Sequence, residues 1–240
     1  MCTLQKRGSI YFLTLTGSGE HRLNPTLIDS IQSALRRIKS EPTSPSSVLI
    51  TTAEGKFFSN GYDIAWAGNS QSRMNLMDSK LRSLVSDLLS LPMPTIAAIS
   101  GHASAAGLMF VLSHDYRLMR KDRGFLYMSE LDINMVIPAW FVALIKCKIG
   151  DAATRREMIM KATKLTAEMA LKGGIVDLVH DNVEETVKAA IGLGEELVGR
   201  KWDGHIYAQN RLVDVGEVLD KLETEETVEG QNGKDTKSRL

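Results

Sequence analysis

The sequence predicts an α/β protein with a helical C-terminal third, and two observations carry that prediction. Short apolar runs of strand type alternate with stretches whose apolar residues recur every three or four positions, and from residue 139 onward helical patterns dominate. No repeat of fixed period is visible, so a solenoid array is not indicated.

Taken in order, residues 10–15 and 48–52 read as strands. Between them Asn24-Pro25 caps a helix whose Leu27, Ile28, Ile31, Leu35 and Ile38 share one face. Residues 41–47, with Pro42, Pro45 and several serines, form a loop. A longer helix spans about residues 73–91. Its Met74, Met77, Leu81, Leu84, Val85, Leu88 and Leu89 make a core stripe that Pro92 and Pro94 end. Residues 95–99 are a buried-type strand, followed by small residues at 103–107 and a helix through Leu112. Strands at 116–119 and 125–127 precede a loop at 130–138. Beyond it come helices at 139–148, 151–161 and 166–172, a strand-like 175–179, and helices at 183–199 and 205–222.

The 240 residues carry 29 basic and 29 acidic side chains and are 43% apolar, which fits one large or two small soluble domains. With net charge zero there is no global field to attract nucleic acid, so an anionic ligand has to be held by local groups. The longest apolar stretch, residues 103–112, is about half of the ~20 residues that a membrane span requires. Cys2 and Cys147 lie far apart without ligand spacing, so neither a disulfide framework nor a zinc site is supported, and a reducing compartment is the simpler reading. The N-terminal residues lack the layout of a signal or transit peptide. At the other end, Ser238-Arg239-Leu240 is a conservative variant of the S-K-L tripeptide read by the peroxisomal import receptor. It follows a polar run at 221–237 expected to be a solvated tail; the alternative is a frayed terminus that happens to end this way.

Three segments carry candidate chemistry. In F-F-S-N-G-Y-D-I, residues 57–64, Gly61 allows close backbone approach and can aim the Tyr62 N–H into a cleft, although N-G is also an ordinary turn signal. In residues 99–117, small residues from Ala103 to Gly107 open a helix and expose amide donors suited to an oxyanion; a tightly packed helix start is the plainer reading. In residues 127–140, Glu130 lies in a largely apolar stretch, and Glu is rarely buried without a partner; the alternative is a solvent-facing loop carboxylate. His102 and His114 lack partners at ligand spacing and read as structural or wall residues.

Together these segments resemble the crotonase superfamily, and more closely its enoyl-CoA isomerases, over about residues 1–200. The resemblance implies a spiral of repeated β-β-α units with a helical C-terminal trimerisation region, and hence a homotrimer or a dimer of trimers. It divides the chain into a catalytic core at 1–200, a C-terminal helix at 201–222 and a flexible tail at 223–240. It also implies oxyanion donors at the amides of Tyr62 and Ala106. The expected acyl-CoA contacts are Lys56 and the backbone of Asn60, Gly61, Tyr62, Asp63 and Ile64. Glu130 followed by Pro138 and Trp140 matches the isomerase pattern of an acid with Pro eight and Trp ten residues on, and makes Glu130 the catalytic acid-base.

Where the superfamily's hydratases have a second glutamate, this chain has Met109, whose thioether cannot accept a proton from water. Alanines at 105 and 106 replace part of the usual glycine run but keep their N–H groups, and Asn60 replaces a small residue before Gly61. The implied reaction moves the double bond of a 3-enoyl-CoA to position 2 through a dienolate. It needs no metal or redox cofactor, CoA being part of the substrate, and the implied setting is fatty acid beta-oxidation in the peroxisome. Competing readings are hydration or thioester hydrolysis on the same fold, or non-catalytic acyl-CoA binding. Arg117, Arg120, Lys121 and Arg123 are further candidates for holding the CoA phosphates, with a solvated face as the plainer reading.

Overall fold

The computed structural model describes residues 1–17, 19–41 and 46–224 of the chain. The first two strands, β1 (Cys2–Arg7) and β2 (Ile10–Leu15), pair as an antiparallel hairpin. Helix α1 (Pro25–Ser40) starts where Asn24 Oδ1 accepts the Leu27 N–H at 3.0 Å, with Pro25 in the first turn where its missing N–H costs nothing. Arg37 and Lys39 sit in its last turn, against the negative end of the helix.

The chain then repeats one pattern. β3 (Val48–Ala53) is followed by β4 (Phe57–Ser59) and by α2 (Ile64–Ala67) with α3 (Gln71–Leu89). β5 (Thr95–Ile99) is followed by β6 (His102–Ser104) and α4 (Ala106–Leu112). β7 (Tyr116–Arg120) is followed by β8 (Leu126–Tyr127), a 3-10 turn at Leu131–Ile133 and α5 (Ala139–Lys148). The first strand of each unit joins a six-stranded sheet and the second joins a three-stranded sheet of order β4-β6-β8. After α6 (Ala152–Lys161) and α7 (Ala167–Lys172), β9 (Leu178–His180) completes the large sheet in the order β1-β2-β3-β5-β7-β9. Every pairing between the named strands after the first hairpin is parallel, with Ile10 opposite Val48, Leu49 opposite Thr95 and Ile96 opposite Tyr116. The expected succession of β-β-α units is therefore present.

Strand alternation sorts the core into two layers. Ile10, Phe12, Val48, Ile50, Ile96, Ala98 and Leu118 face α8 (Val183–Gly199), which packs Ala190 and Leu197 against them. Tyr11, Leu13, Leu15, Leu49, Ala97, Ile99 and Met119 face the other way, toward α1, α3 and α4. Among the described residues no helix is long and apolar enough to cross a membrane.

The C-terminal region departs from the expected single helix over 205–222. It comprises α9 (Gly204–Asp214) and α10 (Gly216–Glu223), broken at Val215, which has φ −100° and ψ 18°. Buried Ala208, Arg211, Val215, Val218 and Leu222 keep helical spacing across the break, so the apolar period runs straight through it. Arg211 holds α9 down. Its guanidinium pairs with Asp115 at 2.6 Å and donates to the carbonyls of Leu89, Leu91 and Met93, so this buried charge is both paired and hydrogen-bonded. The tripeptide Ser238-Arg239-Leu240 and most of the 223–240 tail lie outside the described residues.

Helix α4 begins against β4 so closely that a Cβ on Gly107 would stand 2.3 Å from the Ser59 carbonyl oxygen. Gly107→Ala is therefore expected to lower stability by about 1–3 kcal/mol, the usual cost of overpacking, read as a fall in the urea midpoint. An unchanged midpoint would contradict this packing.

Candidate active site

The strands of the small sheet are parallel, so their C-terminal ends emerge on one side, and the segments that leave them meet there. β4 runs into Asn60-Gly61-Tyr62, β6 into Ala105-Ala106, and β8 into Ser129-Glu130.

The first turn is held from several directions. The Asn60 N–H donates to the Glu20 carbonyl at 2.9 Å, and its side-chain amide donates to the Glu20 carboxylate at 3.1 Å. Asn60 Oδ1 accepts from the Ser104 hydroxyl at 2.8 Å, which ties this turn to the end of β6. The polar side chain that replaces a smaller residue thus has a task. Gly61 sits at φ +73°, and a Cβ there would lie 3.0 Å from the Ser104 carbonyl oxygen and 3.5 Å from the Ala106 nitrogen, so the two candidate amides belong to adjoining turns. Leu23 brackets Tyr62: its N–H donates to Gly61 O at 2.7 Å and its carbonyl accepts from Asp63 N at 3.4 Å. These flanking bonds leave the Tyr62 N–H outside the main-chain ladder.

In the second turn, Ala105 takes φ +49° and ψ −123°, a conformation that costs an L-residue on the order of 1–3 kcal/mol. The Ala105 N–H donates to Tyr127 O at 3.0 Å, and its carbonyl accepts from Leu108 and Met109. Ala106, next in the chain, begins α4, so no earlier carbonyl of the helix accepts its N–H. Because α4 has only seven residues, the donor here is an individual amide more than a helix macrodipole. Ala106 itself is fully buried, and Ala105 forms the adjacent cavity wall.

A cavity of about 590 Å³ opens beside these turns, a size typical of small-molecule sites. Asn60, Tyr62, Ile64, Ala105 and Glu130 line it, together with apolar Met74, Ile133, Met135, Val136, Pro138 and Phe141. Glu130 is 5% exposed, and its Oε2 is buried without a hydrogen-bond partner. Burial strips the carboxylate of water and pushes its pKa up to about 7, against a weaker pull downward from the main-chain groups of Glu130 and Ser129. Among the described residues lining the cavity, Glu130 is the one carboxylic acid. The solvent-facing alternative for Glu130 is thus excluded.

Ile133 and Met135 share the cavity wall with Glu130, while Met128 and Trp140 lie in the core. Met109 is fully buried and sets no second acid beside Glu130.

Other residues singled out in the sequence stand apart from the cavity wall. Lys56 is exposed over the Phe57 ring. Asp63 caps α2, accepting from Trp66 N, and also accepts from Asn24 Nδ2. Arg117 is nearly buried, donating to the carbonyls of Ile175 and His114. Arg120 pairs with Asp122, and Lys121 pairs with Asp181 at 2.6 Å. His114 is buried between Phe110 O and the Thr51 hydroxyl, and desolvation pushes its pKa down to about 4. His102 packs between the rings of Phe57 and Phe125.

Three residues escaped the sequence reading. Arg22 lines the cavity and pairs with Glu20 at 2.6 Å, and only its contact across the fold reveals it. Asp78 and Arg82 are buried on α3 as an ion pair at 2.7 Å. Their signal was an acid and a base four positions apart, each immediately after a residue of the apolar stripe.

The parallel strands of the small sheet thus bring the adjoining Tyr62 and Ala106 turns and one desolvated acid together at a partly apolar cavity. The family model for enoyl-CoA hydratase/isomerase matches residues 6–238, and the chain belongs to that family. It is 58% identical to an Arabidopsis thaliana protein named enoyl-CoA delta isomerase 1, peroxisomal, over 91% of each chain. It is 51% identical to Arabidopsis enoyl-CoA delta isomerase 3, over 88% of this chain and 90% of the relative. The fold matches the crystal structure of an enoyl-CoA hydratase/isomerase family protein from Pseudomonas syringae with a TM-score of 0.84 at 24% identity, over 92% of this chain and 93% of that one.

The raised pKa of Glu130 has a consequence for stability. From the ordinary value of 4.5 up to about 7, the native chain keeps a proton that the unfolded chain has lost, so stability falls as pH rises and the penalty is complete above about 7. Glu130→Gln carries no such penalty. Its stability relative to the parent is expected to grow by on the order of 3 kcal/mol between pH 4 and 8, measured by urea unfolding at each pH. Parallel stability curves would contradict a desolvated Glu130.

Proposed function

We propose that this chain is a 3-enoyl-CoA isomerase, moving the double bond of an unsaturated fatty acyl-CoA from position 3 to the 2-trans position during beta-oxidation. The observation that carries the reading is the solitary buried carboxyl of Glu130, set in an apolar-walled cavity beside two adjoining amide-bearing turns.

Glu130 in its ionised form takes a proton from carbon 2 of the 3-enoyl thioester. The electron pair delocalises through the adjacent carbonyl, giving a dienolate whose charge collects on the thioester oxygen. The amides of Tyr62 and Ala106 donate to that oxygen. Protonated Glu130 then delivers the proton to carbon 4 and regenerates its carboxylate, leaving the conjugated 2-enoyl product. One acid serves both transfers. A carboxyl poised near neutrality suits this work, because it is ionised often enough to accept a proton and basic enough to hold it. The two amides carry much of the remaining barrier, at roughly 2.7–4 kcal/mol per donor.

Hydration is disfavoured because Met109 stands where a second carboxylate would activate water. CoA is substrate here, and proton movement within one molecule requires no metal or redox cofactor. Lys56 and the backbone of Asn60 to Ile64 remain our assignment for the CoA contacts, with Arg22 as the cation on the cavity wall. A homotrimer or dimer of trimers would cover Met160, Met169, Leu171, Ile206 and Val213, apolar side chains left exposed on α6, α7 and α9. A catalytic core at 1–200, followed by a C-terminal helical region and a tail from 223, remains the assigned division. The tripeptide Ser238-Arg239-Leu240, read by the import receptor, would deliver the protein to the peroxisome, in line with the name of the Arabidopsis relative.

Purified protein given a 3-enoyl-CoA in heavy-oxygen water is expected to yield 2-enoyl-CoA without label. Its kcat/KM should rise with pH through about 7 as Glu130 of the free enzyme ionises, and Glu130→Gln should keep substrate binding while losing turnover by orders of magnitude. Labelled 3-hydroxyacyl product from a 2-enoyl-CoA would establish a hydratase instead, and binding without turnover would establish a non-catalytic protein. Removing residues 238–240 from a fluorescent fusion that keeps the chain's own C-terminus should release it from peroxisomes into the cytosol; unchanged peroxisomal fluorescence would remove the tripeptide's assigned role.

A further inference from the structure

Asp78 is 2% exposed in the middle of α3, and three donors converge on it. Its Oδ1 accepts from the Tyr62 hydroxyl at 2.9 Å and from the Trp140 indole N–H at 3.0 Å, while Oδ2 accepts from Arg82 Nε at 2.7 Å. Arg82 in turn donates to the carbonyls of Leu222 and Thr224 at the end of α10. Only an acceptor-only carboxylate suits this arrangement, since an amide would turn an NH2 group toward one of the donors. A buried charge pair is a poor way to gain stability alone, because apolar side chains of similar volume often serve as well. The placement of its partners suggests another use.

Tyr62 supplies the first oxyanion amide. Its peptide follows Gly61, whose backbone has more freedom than other residues allow, so the tyrosine side chain is a natural anchor for it. Trp140 lies in the first turn of α5, where the segment that began at Glu130 rejoins the core. The near end of that segment is already tied to the second amide's turn, because Tyr127 O accepts from Ala105 N. The two amide turns are tied to each other by the Ser104 to Asn60 hydrogen bond. The Asp78 carboxylate supplies the remaining link.

We propose that Asp78 is a positioning residue for the reaction: one of its oxygens, shared by Tyr62 and Trp140, closes a ring of contacts that fixes the acid-bearing segment relative to the first oxyanion amide. This rests on the isomerase reading of the site. Asp78 touches no substrate; it acts through the two side chains it joins.

The test uses the full chain and acetoacetyl-CoA, whose enolate carries its charge on oxygen and absorbs in the ultraviolet, so that the bound enolate fraction reports the alignment of the oxyanion donors. Tyr62→Phe, Trp140→Phe, their double variant and Asp78→Asn are compared with the parent at saturating ligand, alongside melting temperature and kinetics with a 3-enoyl-CoA. Tyr62→Phe keeps its ring and removes only the hydroxyl, and Trp140→Phe keeps a smaller aromatic ring; both leave the Asp78–Arg82 pair in place, so they test the idea even if Asp78→Asn does not fold. Each is expected to show a smaller enolate fraction, with kcat down about 10- to 100-fold and KM changed by no more than about twofold. The double variant should lose little more than the worse single one, because both bonds end on the same oxygen. Folded variants that melt lower yet keep the parent's enolate fraction and kcat would reduce Asp78 to a structural ion pair and overturn the proposal. A parent that neither forms the enolate nor isomerises would instead defeat the isomerase reading, and this proposal with it.

Discussion

The structure depends on one carboxyl group kept out of water without a charged partner. Nearly every other buried charge among the described residues is compensated: Asp78 by Arg82, Asp115 by Arg211, Arg120 by Asp122. Glu130 has no such partner, and one of its oxygens accepts nothing. A nearby cation would stabilise its ionised form and make it a weaker base; exposure to solvent would do the same. The apolar walls around it therefore keep its pKa raised, and the stability lost by burying an ionisable group is a cost that the rest of the core has to offset.

The fold delivers that group by repetition. Each β-β-α unit sends its first strand to the large sheet and its second to the small one, so the small sheet gathers three parallel strands from three distant parts of the sequence. Parallel strands end on the same side. The three segments leaving them bring together the Tyr62 amide, the Ala106 amide and Glu130, much as ligand sites form at the carboxyl ends of strands in open α/β sheets. Close packing then sets the spacing: Gly107 lets α4 lie on β4, and the Ser104 to Asn60 bond joins the two amide turns.

Much of this was legible in the sequence where periodicity had room to show. α1, α3, α5 and α8 and the strands β2, β3, β5 and β7 are long enough for their apolar spacing to declare them. The strands of the small sheet have two or three residues each; β8 was read at 125–127, whereas β4 and β6 are too short to show alternation, so most of the element that assembles the site went unseen. β1 is largely exposed, and its polar sequence gave no strand signal. The break at Val215 was hidden because buried residues keep helical spacing on both sides of it. Within the site, Glu130 and the glycine-bearing turns were readable from residue type and order, whereas Arg22 and Asp78 owe their importance to neighbours remote in sequence. Conversely Arg117, Arg120 and Lys121 form a basic run in sequence, yet the fold pairs each with an aspartate, Arg117 and Arg120 from buried positions and Lys121 at the surface.

The central claim is that Glu130 is desolvated and uncompensated, and its protonation state can be observed directly. Infrared difference spectra recorded across a pH titration, with Glu130→Gln as the reference, isolate the stretching bands of this one carboxyl. A midpoint near 7 is the predicted result. A midpoint near the ordinary 4.5 would mean that water or a cation reaches the group, and the account of the site built on its isolation would be wrong.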